Sequence, residues 1–371
     1  MKKKGVESFR GIVENLFPNA FCIVQRDPDN PRIGLVAHTD GAGSKPIQSY
    51  LHWKETGDPT WFQGLAQDVI AMNLDDIICV AAKPVSFIDY ITLNPYAVNR
   101  VSLLESLAQG FSQCFKMLKN HGISILFAGG ETADHPDQLR TLDVSGSVFG
   151  RVELDKVVTG EKIEPGDLII GIESGGKASY EQYLNSGIMC NGLTLARNCL
   201  MDKSYASMYP EIAHSGDRCL GRFKFDHYVD ELDMSVGEAL LSPTRVFAPI
   251  VKSILSQLGE SIHGMVHNTG GGITKCLQLG RGIHYIKDSL PEPYPIFRLI
   301  QRESRTDWKE MYQDFNMGIG FELIAEPEIA DEIIDIVEGF KVRAMVIGHC
   351  EKSEVQNRLT ISSLFGNFTY L

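Results

Sequence analysis

Four glycine-rich turns punctuate this chain, and three of them follow short apolar runs directly. Ile33-Gly34-Leu35-Val36-Ala37-His38 leads into a turn at 41–43, and Ile123-Ser124-Ile125-Leu126-Phe127-Ala128 runs into Gly129-Gly130. The other two turns are at 270–272 and at Ser174-Gly175-Gly176. Short apolar runs bounded by turn residues read as buried strands. Glycine is used where the backbone takes positive φ or must approach a ligand closely. A set of such turns at strand ends points to a ligand cleft in an α/β protein.

The remaining pattern supports this class. Residues 61–80, 99–120, 243–258 and 327–339 read as helices. Residues 84–93, 141–153, 168–172, 262–267, 318–325 and 342–348 read as strands, and the polar stretch 202–232 as an irregular insertion. At 371 residues two domains are expected. The stretch Thr159-Gly160-Glu161-Lys162-Ile163-Glu164-Pro165-Gly166-Asp167 looks like a linker, so the boundary is placed at 160, giving domains 1–160 and 161–371.

Composition narrows the function. The formal net charge of −12 argues against a nucleic-acid partner, which needs a basic face. It leaves room for a phosphorylated small molecule held by a local loop. The eight cysteines form no CxxC pair and most sit among apolar residues, which suggests buried thiols in a reducing compartment. The basic start, Met1-Lys2-Lys3-Lys4, is followed by no apolar segment, and no run approaches a membrane span. A cytoplasmic protein is expected.

Chemistry concentrates in the first domain. Asp40-Gly41-Ala42-Gly43-Ser44-Lys45 offers backbone N–H groups and a lysine to a phosphate, although it lacks the GxxxxGK[ST] spacing of a P-loop. In the helix at 61–80, Asp68 and Asp75 fall on one line, with Met72 and Asp76 beside it and Ile70, Leu74, Ile77 and Ile78 opposite. Such a row is either a solvated acidic face or a platform for Mg²⁺. Asp89 in an apolar strand and Glu131 at the end of another favour the platform, because a lone buried carboxylate is costly. A lysine loop with several carboxylates suits a metal-bridged triphosphate.

These segments, in this order, resemble the aminoimidazole ribonucleotide synthetase (phosphoribosylformylglycinamidine cyclo-ligase) family. Asp40–Lys45 resembles its DGVGTK motif, 67–76 its IDLVAMCVND helix, 87–91 its FLDYY strand and 129–136 its GGETAEMP motif. Pro243-Thr244-Arg245, His267-Asn268-Thr269-Gly270-Gly271-Gly272 and Glu310–Gly320 resemble its PTRIY, H-x-TGGG and EMYxxFNMGIG segments. The resemblance implies two α/β domains and a homodimer whose N-terminal domains join sheets into a shared barrel. It also implies ATP, Mg²⁺ and ring closure of formylglycinamidine ribonucleotide. It assigns nucleotide contacts to Asp40, Gly41, Gly43, Ser44, Lys45, Asp75, Asp76, Asp89, Gly130, Glu131 and Thr132, and metal contacts to Asp40, Asp68 and Asp89. It places Lys45, Asp68 and His267 in catalysis. Ser174, Gly175, Asn191, Gly192, Thr269, Gly270 and Gly271 are expected to hold the phosphoribosyl substrate.

The chain departs from the family at SSGxHSNG. Here Ser174-Gly175-Gly176 is separated from Asn191-Gly192, with Met189 in the histidine's place and Cys190 in the serine's. The alternatives are another ATP-using relative or a catalytically silent nucleotide-binding regulator. Cys22 lacks the glycine-rich setting of a selenophosphate synthetase, and the chain ends Thr369-Tyr370-Leu371 rather than in the cysteine of the hydrogenase-maturation relative.

Overall fold

The computed structural model describes residues 6–9, 12–213 and 219–371. The N-terminal half builds one sheet from β1 (Gln25–Arg26), β2 (Ile33–Gly41), β3 (Lys83–Leu93), β4 (Leu126–Asp134) and β5 (Leu142–Glu153), in the order β1-β2-β5-β3-β4. β3 and β4 run parallel and the other pairs antiparallel. Along β5, Leu142, Val144, Gly146, Val148, Gly150 and Val152 are buried while Phe149, Arg151 and Glu153 are exposed. This period-two alternation marks a sheet with one covered face. Helices α1 (Lys45–Thr56), α2 (Gln63–Ile78) and α3 (Arg100–Asn120) belong to this half. Phe87, Phe111, Phe115 and Phe127 interlock and pin α3 to β3 and β4, with Phe111 and Phe127 stacked at 5.5 Å. The uncovered face and the β4 edge expose Val85, Tyr90, Leu126, Phe127 and Phe149.

The C-terminal half holds β6 (Leu168–Glu173), the small ribbon of β7 (Tyr228–Val229) and β8 (Met234–Ser235), then β9 (Ile262–His267), β10 (Ile283–Lys287), β11 (Ile319–Ala325), β12 (Ala344–Lys352), β13 (Arg358–Ser363) and β14 (Gly366–Tyr370). Its sheet has the order β14-β13-β10-β12-β6-β11-β9. Every residue of β9 and β11 is buried, which explains their mainly apolar sequences, interrupted by His263 and His267 in β9 and by Glu322 in β11. The helices are α4 (Leu193–Leu200), α5 (Ser204–Met208), α6 (Val236–Leu241), α7 (Ala248–Leu258), α8 (Pro295–Ser304), α9 (Trp308–Asp314) and α10 (Ala330–Glu338). Among the described residues no helix is long and apolar enough to cross a membrane.

Several sequence expectations shift. The segment Gly129–Thr132 is not a turn after a strand but lies inside β4, which continues to Asp134. The expected helix at 243–258 begins at Ala248, because Pro243–Phe247 crosses the seam between the two halves. Residues 202–213 and 219–232 carry more structure than their polarity suggests. They include α5, bury Tyr205 and Phe223, and bridge Met201 to Phe223.

Candidate functional site

α2 is the hinge of the architecture, wedged between the halves with both faces buried. Of its residues, Leu65, Ala66 and all of 68–78 are buried. The acidic line read from the sequence is therefore neither a solvated face nor an open platform. Asp68 is 1% exposed, and its Oδ1 accepts from Lys45 Nζ at 2.6 Å and from Thr244 N and Oγ1 at 2.7 Å each. Lys45 is wholly buried and also donates to the Ser242 carbonyl at 2.6 Å. Asp75 accepts from Phe247 N at 2.8 Å and Ala248 N at 3.0 Å, so it caps α7 from across the seam. Helix N-termini carry unpaired N–H groups that a carboxylate satisfies well. Burial nevertheless pushes the Asp75 carboxyl above its ordinary range.

The phosphate-type loop has strand–turn–helix geometry. β2 runs through Asp40 and Gly41, and α1 begins at Lys45. Gly43 has φ of 61°, and a Cβ there would lie 2.7 Å from the Cys190 carbonyl oxygen. Only glycine meets both demands. The close approach brings Asn191, Gly192 and α4 beside the loop, where Thr194 Oγ1 donates to Ser44 Oγ at 3.1 Å. The turn after β9 completes the setting. Thr269 accepts from Gly272 N at 2.8 Å, and a Cβ on Gly270 would stand 3.6 Å from Asn191 Oδ1. Residues 40–45, 191–194 and 269–272 thus converge. Asn191 Nδ2 is buried there without a hydrogen-bond partner.

At the foot of this cleft stand two histidines and one carboxylate. Asp76 Oδ1 accepts from His267 Nδ1 at 2.7 Å, and Asp76 Oδ2 is 3.2 Å from His38 Nε2. Burial works to raise the Asp76 carboxyl, but the His267 hydrogen bond and the neighbouring His267, His38 and Lys275 charges outweigh it, and it lies below its ordinary value. His267 is completely buried, and its Nε2 has no partner. With Nδ1 committed to Asp76, Nε2 is the ring's uncommitted nitrogen.

The expected metal trio does not assemble. Asp68 is sealed in the seam. Asp40 and Asp89 pair with Gly146 from either side, so one strand separates them by about 10 Å. Among the described residues no group of three or more His, Cys, Asp or Glu side chains is arranged to hold a metal ion. Asp89 packs against Gly130, where a Cβ would fall 1.6 Å from Asp89 Oδ1, and Glu131 and Thr132 continue along the exposed edge strand. Ser174 and Gly175 are also removed from the open cleft. Ser174 Oγ is buried and donates to the Gly187 carbonyl at 2.8 Å, while a Cβ on Gly175 would lie 2.2 Å from the Tyr294 ring.

The description "AIR synthase related protein, N-terminal domain" matches residues 20–152, and "AIR synthase related protein, C-terminal domain" matches 164–358. The chain belongs to the AIR synthase family. A phosphoribosylformylglycinamidine cyclo-ligase of Methanococcus maripaludis strain C6 is 34% identical over 322 residues, covering 86% of this chain and 78% of the relative. Its Methanocaldococcus jannaschii counterpart is 33% identical, covering 85% and 77%. Among solved structures, AaThiL complexed with AMPPCP and TMP aligns with a TM-score of 0.59 at 12% identity, over 99% of this chain and 96% of that one. Thiamine monophosphate kinase from Aquifex aeolicus aligns with a TM-score of 0.54 at 12% identity, over 93% and 91%. At these identities the solved structures speak for the fold.

Seen as an AIR synthase family member, the chain's interrupted serine–glycine motif becomes intelligible. The intervening segment loops out and returns. Gly176 and Asn185 exchange backbone hydrogen bonds at 2.9 and 2.8 Å, and the Gly187 carbonyl accepts from both Ser174 Oγ and Asn316 Nδ2. Glu181, in the excursion, is held bidentately by the buried Arg245 at 2.9 and 2.8 Å. The sequence reading missed three residues that matter here. His38 was passed over as the end of an apolar run. Lys287 and Glu322 form a fully buried pair at 2.7 Å beneath the 269–272 turn. Glu322 also accepts from Asn268 Nδ2 at 2.8 Å, and Lys287 donates to the Ile273 carbonyl at 2.7 Å. The sequence carries a signal for Lys287 and Glu322: each is a charge in a mainly apolar strand, the same mark that singles out Asp89 and Glu131.

Proposed function

We propose that this chain closes formylglycinamidine ribonucleotide to aminoimidazole ribonucleotide with consumption of ATP. Family membership supports the reaction, and the unpartnered Nε2 of buried His267 is the observation that carries the site. A buried polar atom without a partner is rare in native proteins. The ring is completely buried, packed against Phe247 and Phe321 at the end of the strand that leads into the glycine turn. An amide oxygen is a poor leaving group until it is phosphorylated, after which the internal amine displaces phosphate and closes the ring. His267 Nε2 accepts the proton that the attacking amine sheds, and Asp76 holds the resulting charge through Nδ1–H. The Gly43 and Ser44 N–H groups receive phosphate, since those of Gly41, Ala42 and Lys45 are donated to Asp40 Oδ1 and to the Val144 and Ala42 carbonyls. Asn191 Nδ2 and the 269–271 turn take the ribonucleotide's polar groups. Holding both reacting ends in one cleft supplies the proximity that ring closure needs.

Mg²⁺ is held by one or two carboxylates plus nucleotide phosphates rather than by an all-protein cage. Exposed Asp40 and half-buried Asp89, one strand apart, would each offer a single carboxylate in that mode, and a bound ion would neutralise charge on the transferred phosphoryl group. The apolar residues on the open N-terminal sheet and the β4 edge form the homodimer face, and the enzyme works in the cytoplasm. Incubation with formylglycinamidine ribonucleotide, ATP and Mg²⁺ is expected to yield aminoimidazole ribonucleotide, ADP and phosphate. No product at micromolar enzyme would sink the proposal. A monomer at micromolar concentration in sedimentation would remove the dimer.

A further inference from the structure

We propose that His38 is a positioning residue for His267, tying the phosphate-type loop to the base through Asn73 and Asp76; this rests on the assignment of His267 above. The connection is continuous. Asn73 Nδ2 donates to the Val69 carbonyl at 2.8 Å and to the Asp40 carbonyl at 3.1 Å. That fixes the orientation of the amide, so Oδ1 is the atom facing His38 Nδ1 at 3.3 Å. The other ring nitrogen of His38 meets Asp76 Oδ2 at 3.2 Å, and the remaining oxygen of Asp76 meets His267 Nδ1 at 2.7 Å. Asp76 is thus hydrogen-bonded through Oδ1 and charge-paired through Oδ2.

The consequence is mechanical. A carboxylate bonded through one oxygen can swing about its side-chain torsion. A carboxylate hydrogen-bonded through one oxygen and charge-paired through the other swings less, and the ring it orients is held more narrowly. His38 supplies the second grip from the cleft side, where its side chain is 25% exposed and that of Asp76 only 7%. It lies on β2, two residues before Asp40. The Asp40 carbonyl is the point where Asn73 touches the loop, so the seating of phosphate and the aim of His267 share one line of polar contacts. Removing His38 leaves the loop glycines and the His267–Asp76 bond in place but frees Asp76 to rotate.

Steady-state kinetics with formylglycinamidine ribonucleotide and Mg-ATP test this on four proteins: wild type, His38→Leu, His38→Gln and His267→Ala. His38→Leu is expected to lower kcat roughly tenfold or more, part of the ~10²–10⁴-fold that a positioned base contributes. The KM for each substrate should stay within about twofold of wild type, as for an interaction realised only in the transition state. The His38→Gln amide places a donor near the site of the imidazole Nε2 and is expected to restore most of the rate. Should the leucine variant fail to fold, His38→Ala takes its place. Wild-type kcat in His38→Leu, a loss confined to KM, or a glutamine variant as slow as the leucine variant would overturn the inference. An inactive His267→Ala beside a fully active His38→Leu removes this inference alone. A fully active His267→Ala removes the site assignment beneath it.

Discussion

Asp68 and Asp76 stand on the same helix two turns apart, and both are almost completely buried. Asp68 is matched entirely by protein: a lysine, a backbone N–H and a hydroxyl all converge on its Oδ1. Asp76 is matched too, but by histidines, one of which keeps an atom in reserve, since His267 Nε2 has no partner. The difference separates structure from chemistry. A buried charge whose partners are all satisfied holds the two halves together. A buried charge that hands its order on to an unsatisfied atom prepares that atom for a ligand.

Breaking the reserve should cost most. His267→Ala is expected to lower kcat by about 10²–10⁴-fold, and to lower the melting temperature as well because it strands the buried Asp76 carboxylate. A folded variant at the wild-type rate would erase the distinction between the two carboxylates. Next comes the seam. Asp68→Ala strands Lys45 as an unpaired buried cation, and stability to denaturant should fall by about 3–5 kcal/mol. Wild-type stability would mean that this pair does not hold the halves together. At the loop, Gly43→Ala forces a side chain into left-handed backbone and against the Cys190 carbonyl, costing about 1–2 kcal/mol. The KM for ATP should rise as the loop withdraws, and an unchanged KM would place the nucleotide elsewhere.

The smallest effect sharpens the comparison to adjacent residues. The folded value of Asp75 lies above the ordinary 3.8, so the native state keeps a proton that the unfolded chain has lost. Stability then falls as pH rises from 3.8 toward that folded value. The folded value of Asp76 lies below 3.8, so its contribution is complete above 3.8 and is lost as pH falls through the folded value. Asp75→Asn should therefore gain on wild type as pH rises above 3.8, whereas Asp76→Asn should lose the stabilisation that wild type acquires as pH rises toward 3.8. Each slope is at most about 1.4 kcal/mol per pH unit. Urea titrations across pH 2.5–7 measure both, and parallel curves would contradict the contrast.

The sequence made the cleft partly legible. Period and glycine placement located β2, β9 and the loops after them, because strand ends and positive-φ turns leave local marks. Helical spacing found the line through Asp68 and Asp75. It was silent on what that line would face, since the partners Thr244, Phe247 and Ala248 lie more than a hundred residues away. The glycines at 129–130 misled because β4 passes through them, its pairing with β3 overriding their turn preference. His38 was hidden by its neighbours, and only the fold reveals that a strand end and two remote acidic and imidazole groups meet.

The Lys287–Glu322 pair changes what the glycines above it mean. Glycine-rich turns are the most entropically mobile backbone a chain has, and closing one over a ligand ordinarily spends much of the binding energy on order. Here Asn268 and the Ile273 carbonyl, at the two ends of the turn, are fastened to that buried pair. The loss of freedom therefore falls on the folding step, where the whole core shares it. Ligand arrival finds a turn that already has its shape, and contact energy at the glycines goes into recognition instead of ordering.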